Sequence, residues 1–201
     1  QMIWSDCYAT LSLAAYHTSR IRLGTGVAIA GTRLAPVTAH SIASINKLAP
    51  GRTFLGIGTG HTAMRIMGQK PMGPSAFRDY LRAVRGLLDG EEVEYTHNGE
   101  TRPIRFQDRE LYCLNLEDRV PIYVGANGPK ALTATGVYGD GRISAGTEPV
   151  SVMRSNMEKV RRGAEQAGRT LPEDFHTSVL TYACVLKSGE SLASDRVVEE
   201  T

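Results

Sequence analysis

The tripeptide Gly-Thr-Gly occurs twice in this chain, each time near the end of an apolar run. The two runs read IRLGTGVAIA and GRTFLGIGTG, and Gly24 and Gly58 open the two copies 34 residues apart. A strand with its following helix takes about 30 residues or more in a parallel α/β fold, so the spacing fits one such unit. Glycine has no Cβ, which allows the backbone to approach a ligand closely. We therefore expect two neighbouring parallel strands that end in open loops, where an α/β barrel builds its active site.

The rest of the chain continues the alternation of strand and helix patterns. The predicted strands cover residues 21–30, 53–57, 120–124, 142–145 and 176–186. Helical patterns flank them, including one over residues 74–89, where Arg85 is expected on the outer face, and a last one over residues 191–200. This order predicts an α/β fold with a parallel sheet. The pattern alone leaves two architectures open, a part of a (β/α)8 barrel and an open doubly wound sheet.

One segment, residues 91–119, interrupts the alternation. It begins with alternating apolar positions at Val93 and Tyr95 and continues into Asn98-Gly99, the strongest short hairpin signal. We predict an inserted antiparallel ribbon here, followed by an extended piece over residues 110–116. Further on, Asp140-Gly141 is predicted to be a turn with a structural role.

Composition limits the classes of function. The net charge is +2 and aromatic residues make up 6% of the 201 residues, which argues against a nucleic-acid partner. No apolar run is long enough to cross a membrane, and no signal peptide is visible. The three cysteines are widely spaced, which argues against a disulfide framework or a metal site and favours the cytoplasm. The chain begins at Gln1 and stops within a helical pattern, so we expect both ends to be cut from a longer protein.

Four strings carry a family resemblance: TSRIRLGTGVAIAGTR, TAHSIASINKLAPGRTFLGIGTG, VPIYVGANGPKAL and YGDGRI. Together they resemble the luciferase-like flavin and coenzyme F420-dependent oxidoreductase superfamily, and LGTGV, LGIGTG and GANGPK resemble its F420-dependent branch. The resemblance implies one (β/α)8 TIM barrel domain over residues 1–201, incomplete in this chain, with about strands 3–7 and the ribbon as an insertion. It also implies hydride transfer, or monooxygenation with reduced FMN and oxygen, on a small organic substrate. The cofactor would be FMN or F420, which the sequence does not distinguish.

The resemblance implies a place for the cofactor ring. In F420-dependent members a cis peptide that does not involve proline bulges the third strand behind the ring, and the matching bond here joins Gly26 and Val27. Gly58, Thr59 and Gly60 would form the adjacent floor. The glycines of this second copy fit neither the dinucleotide-binding nor the P-loop pattern.

The phosphate group of the cofactor has a separate candidate site. Gly125, Ala126, Asn127 and Gly128 follow a predicted buried strand and open a helix at Pro129-Lys130, where free N–H groups and the helix dipole favour an anion. From the residues alone, a plain strand-to-helix turn is equally open, and the resemblance favours the phosphate. The small residues Ala145, Gly146 and Thr147 end the next strand and would leave room for the phosphate or the ribityl chain.

His61 is the candidate catalytic residue because it follows directly on the C-terminal end of a strand. It would donate a hydrogen bond to the flavin or act as an acid or base. Asp6 is expected to cap a helix, although Trp4, Ser5 and Asp6 also lie where a substrate loop would run. Arg33 is either a solvated side chain or a partner of an anionic ligand.

Two alternatives to an active oxidoreductase stay open. One is a non-catalytic, flavin-binding or truncated remnant of such an enzyme, and the other is a different barrel enzyme that binds a phosphorylated ligand. A partial barrel would expose sheet edges, which can pair with another chain. We therefore expect a homodimer or a larger assembly.

Overall fold

The computed structural model describes residues 5–111, 113–145, 148–180 and 184–200. Their helices, in chain order, are α1 Cys7–His17, α2 Ala35–Leu48, α3 His61–Ile66, α4 Pro74–Leu88, α5 Pro129–Tyr138, α6 Val150–Gln166 and α7 Asp195–Glu200. Their strands are β1 Leu23–Gly24, β2 Ala28–Ile29, β3 Thr53–Gly58, β4 Val93–His97, β5 Glu100–Ile104, β6 Ile122–Gly125, β7 Gly141–Ala145 and β8 His176–Leu180. Within the described residues, no helix is long and apolar enough to cross a membrane.

The main sheet is parallel and follows the order of the chain. Its strands lie in the order β1, β3, β6, β7, β8, and β2 also pairs with β3. The parallel α/β prediction is confirmed. A doubly wound sheet reverses its strand order at a switch point, and the described strands show no such reversal. The order is therefore that of a barrel wall.

The two faces of the sheet carry different side chains because neighbouring residues on a strand point in opposite directions. Leu55 and Ile57 of β3 pair in register with Ile122 and Val124 of β6, and all four are fully buried. They belong to the main core, together with residues of the helices that cover this face. The alternate positions on the other face include Gly56, Gly58 and Gly125. At these three positions β3 and β6 therefore place no side chain on that face.

The inserted ribbon is also confirmed. β4 and β5 pair antiparallel, with His97 opposite Glu100. Asn98 and Gly99 form the two-residue turn with φ angles of 53° and 82°. Both angles lie in the left-handed region that a tight hairpin turn of this kind requires.

Several predicted boundaries are wrong. The strand predicted over residues 21–30 is two short pieces, β1 and β2, because the backbone leaves the ladder between them. The last strand ends at Leu180 in the described residues, since 184–186 are not extended in a sheet, and α7 begins at Asp195 rather than at residue 191. The piece predicted to be extended over residues 110–116 instead contains a short 3₁₀ turn at Arg109–Leu111 and irregular backbone over residues 113–116.

Arg85 is a further correction. The helical period placed it on the outer face of α4, but only 10% of its side chain is exposed. Its guanidinium is bonded to both carboxylate oxygens of Asp89 and approaches Asp140 at 3.4 Å. The two carboxylates make burial of this charge possible.

Candidate functional site

The backbone between β1 and β2 contains a cis peptide bond at Gly26-Val27, as the family resemblance implied. Thr25, the residue before Gly26, is buried, and its hydroxyl donates a hydrogen bond to the carbonyl oxygen of Gly56 on β3 at 2.6 Å. A Cβ on Gly56 would lie 2.0 Å from the carbonyl oxygen of Thr25. The first Gly-Thr-Gly therefore packs against the strand that leads into the second, and this contact requires glycine at position 56.

Val27 lies directly before β2 and beside the C-terminal ends of β3 and β6. A Cβ on Gly58 would be 3.3 Å from a methyl group of Val27, and a Cβ on Gly125 would be 3.7 Å from the other methyl group. Gly58 and Gly125 pair in register, and Gly58 also pairs with Ile29 of β2. The structure thus brings together Gly26, Val27, Gly58 and Gly125, four of the residues predicted to bind the cofactor.

This meeting point has room for a ligand. Among the residues that the structure describes, and apart from each glycine and its two chain neighbours, no atom lies within 4 Å of the position that a Cβ on Gly26 or on Gly128 would take. A side chain at Gly58 or at Gly125 would occupy the space beside Val27. The missing side chains therefore fit a flat ring placed against the strand ends.

The loop 125–128 leads directly into α5, a helix of ten residues. Gly128 is the N-cap with extended backbone, Pro129 is at the start of the helix, and within the described chain no side chain caps it. The first N–H groups of a helix have no acceptor inside it. Because the first turn carries no acidic residue and Lys130 is exposed nearby, the helix start is suited to an anion.

His61 begins α3, one residue after Gly60, whose φ of 78° is left-handed. Gly60 sits close to β2, since a Cβ there would lie 2.2 Å from Ile29. His61 is exposed at the same edge of the sheet as Gly58, and Thr59 is half-buried. This position agrees with the one predicted for His61, whose role stays a prediction.

The remaining predicted positions have separate outcomes. Asp6 caps α1 by accepting hydrogen bonds from the backbone N–H groups of Tyr8 and Ala9, which confirms the capping prediction. Arg33 forms an ion pair with Asp6 at 2.6 Å and lies over the Tyr8 ring. Ala145 is the last residue of β7. Trp4, Gly146 and Thr147 lie outside the described residues.

A buried ionic network beside the loop 125–128 was not predicted from the sequence. The side chain of Arg142 on β7 is fully buried and binds both carboxylate oxygens of Glu148, at 2.7 and 2.8 Å. Glu148 also accepts a hydrogen bond from the Asn156 side chain of α6. The available signal was the arginine itself, a charged residue at the start of the strand predicted over residues 142–145, with an acidic residue six positions later.

Glu148 is expected to make folding stability depend on acid pH. Hydrogen bonds from Arg142, with a further one from Asn156, hold the pKa of its carboxyl below the ordinary value although burial raises it. A lowered folded-state pKa stabilises the protein fully above the ordinary glutamate value of about 4.3, and this contribution is lost as the pH falls through the folded-state value. Denaturant unfolding should show that Glu148→Gln costs stability at about pH 7 and much less at about pH 3. An equal cost at both pH values would contradict this assignment.

Comparisons with known proteins identify the family and support the fold. The family described as luciferase-like monooxygenase matches residues 1–198. The 5,10-methylenetetrahydromethanopterin reductase of Methanolobus tindarius is 37% identical over 183 residues, covering 89% of this chain and 52% of that protein. The F420-dependent glucose-6-phosphate dehydrogenase of Mycolicibacterium fortuitum is 32% identical over 170 residues, covering 80% and 49%. The solved structure of the coenzyme F420-dependent tetrahydromethanopterin reductase of Methanopyrus kandleri matches with a TM-score of 0.65 and 26% identity, covering 91% of this chain and 55% of that one.

The chain spans about half the length of the curated relatives it matches. Its parallel sheet correspondingly forms about half of a barrel wall, as the incomplete-barrel prediction required.

Proposed function

Because the chain belongs to the luciferase-like monooxygenase family, we propose that it forms the cofactor-binding part of an oxidoreductase that uses coenzyme F420 or FMN. The observation that carries the proposal is the meeting of the cis bond at Gly26-Val27 with Gly58 and Gly125, beside the uncapped start of α5. Family membership decides against the alternative of an unrelated barrel enzyme. F420 is favoured over FMN, because the relative of Mycolicibacterium fortuitum at 32% identity and the solved structure from Methanopyrus kandleri at 26% identity are both named as F420-dependent.

In this proposal the strand ends hold the ring and the loop holds the phosphate. Val27, Gly58 and the backbone of Gly26 form the surface against the ring, with Thr59 and Gly60 at its border. Ala126 and Asn127 belong to the loop, whose backbone N–H groups, with those of the first turn of α5, donate to the phosphate oxygens. The cofactor supplies hydride transfer, or insertion of one oxygen atom when reduced FMN reacts with oxygen.

His61 is the proposed acid, base or hydrogen-bond donor of the site. It stands at the strand end that carries Gly58, on the side of the sheet where barrel enzymes place their reacting groups. Ala145, the last residue of β7, and Gly146, which lies outside the described residues, are proposed to leave room for the phosphate or the ribityl chain. The substrate is proposed to be a small organic molecule, and the wide cysteine spacing suits an enzyme of the cytoplasm.

Titration of the purified protein with coenzyme F420 and with FMN, oxidised and reduced, tests the proposal by fluorescence. We expect saturable binding of at least one cofactor at micromolar concentration, with turnover on members of a substrate panel. Binding of neither would contradict the proposed function. Binding without turnover would favour the non-catalytic alternative.

We also propose that the protein assembles as a homodimer or larger. Within the described ranges, β8 pairs only with β7, and 41% of Val179 and 63% of Leu180 are exposed on it. Unpaired sheet edges with exposed apolar residues favour association with another chain. Light scattering at high protein concentration should give at least twice the chain mass, and a monomer would contradict the proposal.

A further inference from the structure

Arg142 contacts the proposed phosphate loop as well as Glu148. Its Nε–H donates to the carbonyl oxygen of Ala126 at 2.9 Å, and its Nη2 donates to the side-chain oxygen Oδ1 of Asn127 at 3.3 Å. Arg142 pairs in register with Val124, so it stands beside the strand end from which the loop leaves. One buried side chain therefore holds two consecutive residues of the loop.

The charge of Arg142 is balanced locally. Glu148 binds it through both carboxylate oxygens, and only 10% of the Glu148 side chain is exposed. Asn156 of α6 donates to the same carboxylate, and Lys159 donates to Asn156. Because a paired guanidinium offers an anion little net charge, Arg142 would act on the loop through hydrogen-bond geometry.

The direction of these hydrogen bonds decides which atoms of the loop stay available. A guanidinium has donors and no acceptor, so the amide of Asn127 must turn its oxygen towards Arg142. The carbonyl of Ala126 is likewise directed at a fully buried group, while Asn127 and Gly128 are exposed. These two acceptors therefore face the protein, and within the described residues the amide hydrogens of Asn127 are left for a ligand.

We propose that Arg142 is a positioning residue for anion recognition, which turns the acceptors of Ala126 and Asn127 inward so that the loop presents donors to the cofactor phosphate. This rests on the proposed function, because it takes the loop 125–128 as the phosphate site. Arg142 itself does not touch the phosphate. Its effect is specific for ligands that carry the phosphate.

The test variant is Arg142→Met combined with Glu148→Gln. Removing both charges avoids leaving one of them buried and unpaired, and the amide oxygen of the introduced glutamine can still accept the hydrogen bond from Asn156. Arg169→Gln is the matched control. It removes an arginine that is bonded to Asp140 and to the carbonyls of Gly136 and Val137, away from the loop.

The readout is the ratio of affinities for FMN and riboflavin, or for F420 and its deazaflavin core without the phosphate tail. We expect wild type and Arg169→Gln to prefer the phosphate-bearing ligand at least about tenfold, and the double variant to lose most of that preference. If the double variant keeps the preference for the phosphate-bearing ligand, the proposed role of Arg142 is wrong, while the phosphate site itself is not contradicted. No preference in the wild type would instead contradict the phosphate site itself.

Asn127→Ala keeps the proposal testable if the double variant does not fold. Asn127 is exposed, so its removal leaves the core unchanged. We expect the phosphate preference to fall at least about threefold, since one donor is lost. An unchanged preference would overturn the proposed use of the Asn127 amide.

Discussion

Gly128→Asp is expected to weaken binding of the phosphate-bearing cofactor at least about tenfold, the equivalent of about 1.4 kcal/mol. The substitution would place a carboxylate at the N-cap of α5, beside the proposed phosphate. Two like charges about 4 Å apart near a protein surface repel by about 4 kcal/mol, and solvent screening reduces this value. Fluorescence titration measures the loss.

Gly128→Asn is the matched control for this effect. Gly128 has a φ of −81°, and the described residues leave its Cβ position open, so both side chains fit without strain. Both also stabilise a helix as N-cap residues. The Asn variant should keep the wild-type affinity within about threefold, because it adds no charge. Unchanged affinity in the Asp variant would show that the phosphate binds elsewhere.

Asp140→Ala is expected to lower the free energy of unfolding by about 3–5 kcal/mol. Only 8% of the Asp140 side chain is exposed, and its carboxylate lies within 3.4 Å of Arg85, Arg119 and Arg169. It also accepts a hydrogen bond from the buried backbone N–H of Ile122. Removing the carboxylate leaves the buried guanidinium of Arg85 and the buried N–H of Ile122 without this partner. Denaturant unfolding measures the loss.

Arg119→Gln is the control for the cluster of three arginines around Asp140. The Arg119 side chain is 53% exposed, so its ion pair with Asp140 is expected to contribute only about 1 kcal/mol or less. If Asp140→Ala costs no more than this control, the carboxylate does not hold the cluster together. Neither residue belongs to the proposed cofactor site, so both variants should keep cofactor affinity.

Features with local signals could be predicted from the sequence. The paired Gly-Thr-Gly segments indicated neighbouring parallel strands, and Asn98-Gly99 indicated the hairpin, because each pattern is written in consecutive residues. The cis bond at Gly26-Val27 is different, since it came from family resemblance and composition alone would not indicate it. The meeting of Val27 with Gly58 and Gly125 followed once the strands were placed in order.

Features that depend on distant partners could not be predicted. The helical period predicted Arg85 on the outer face of α4, because the period reflects only the residues of that helix. Its partner Asp140 lies 55 residues later in the chain. Asp140 itself was interpreted as part of a turn, and nothing near it in sequence indicates three arginines. Arg142 and Glu148 lie only six residues apart, but the atoms of Ala126 and Asn127 that Arg142 binds belong to the loop after a different strand, β6.

Amide chemical-shift mapping tests the central claim most directly, with whichever of coenzyme F420 and FMN binds more tightly as the titrant. We predict that the largest shift changes fall on Val27, on Gly58–Gly60 and on residues 125–131 other than Pro129, which has no amide N–H, while the ribbon of β4 and β5 stays unchanged. Changes concentrated in the ribbon, or saturable binding that leaves residues 125–131 unaffected, would contradict the proposed cofactor site.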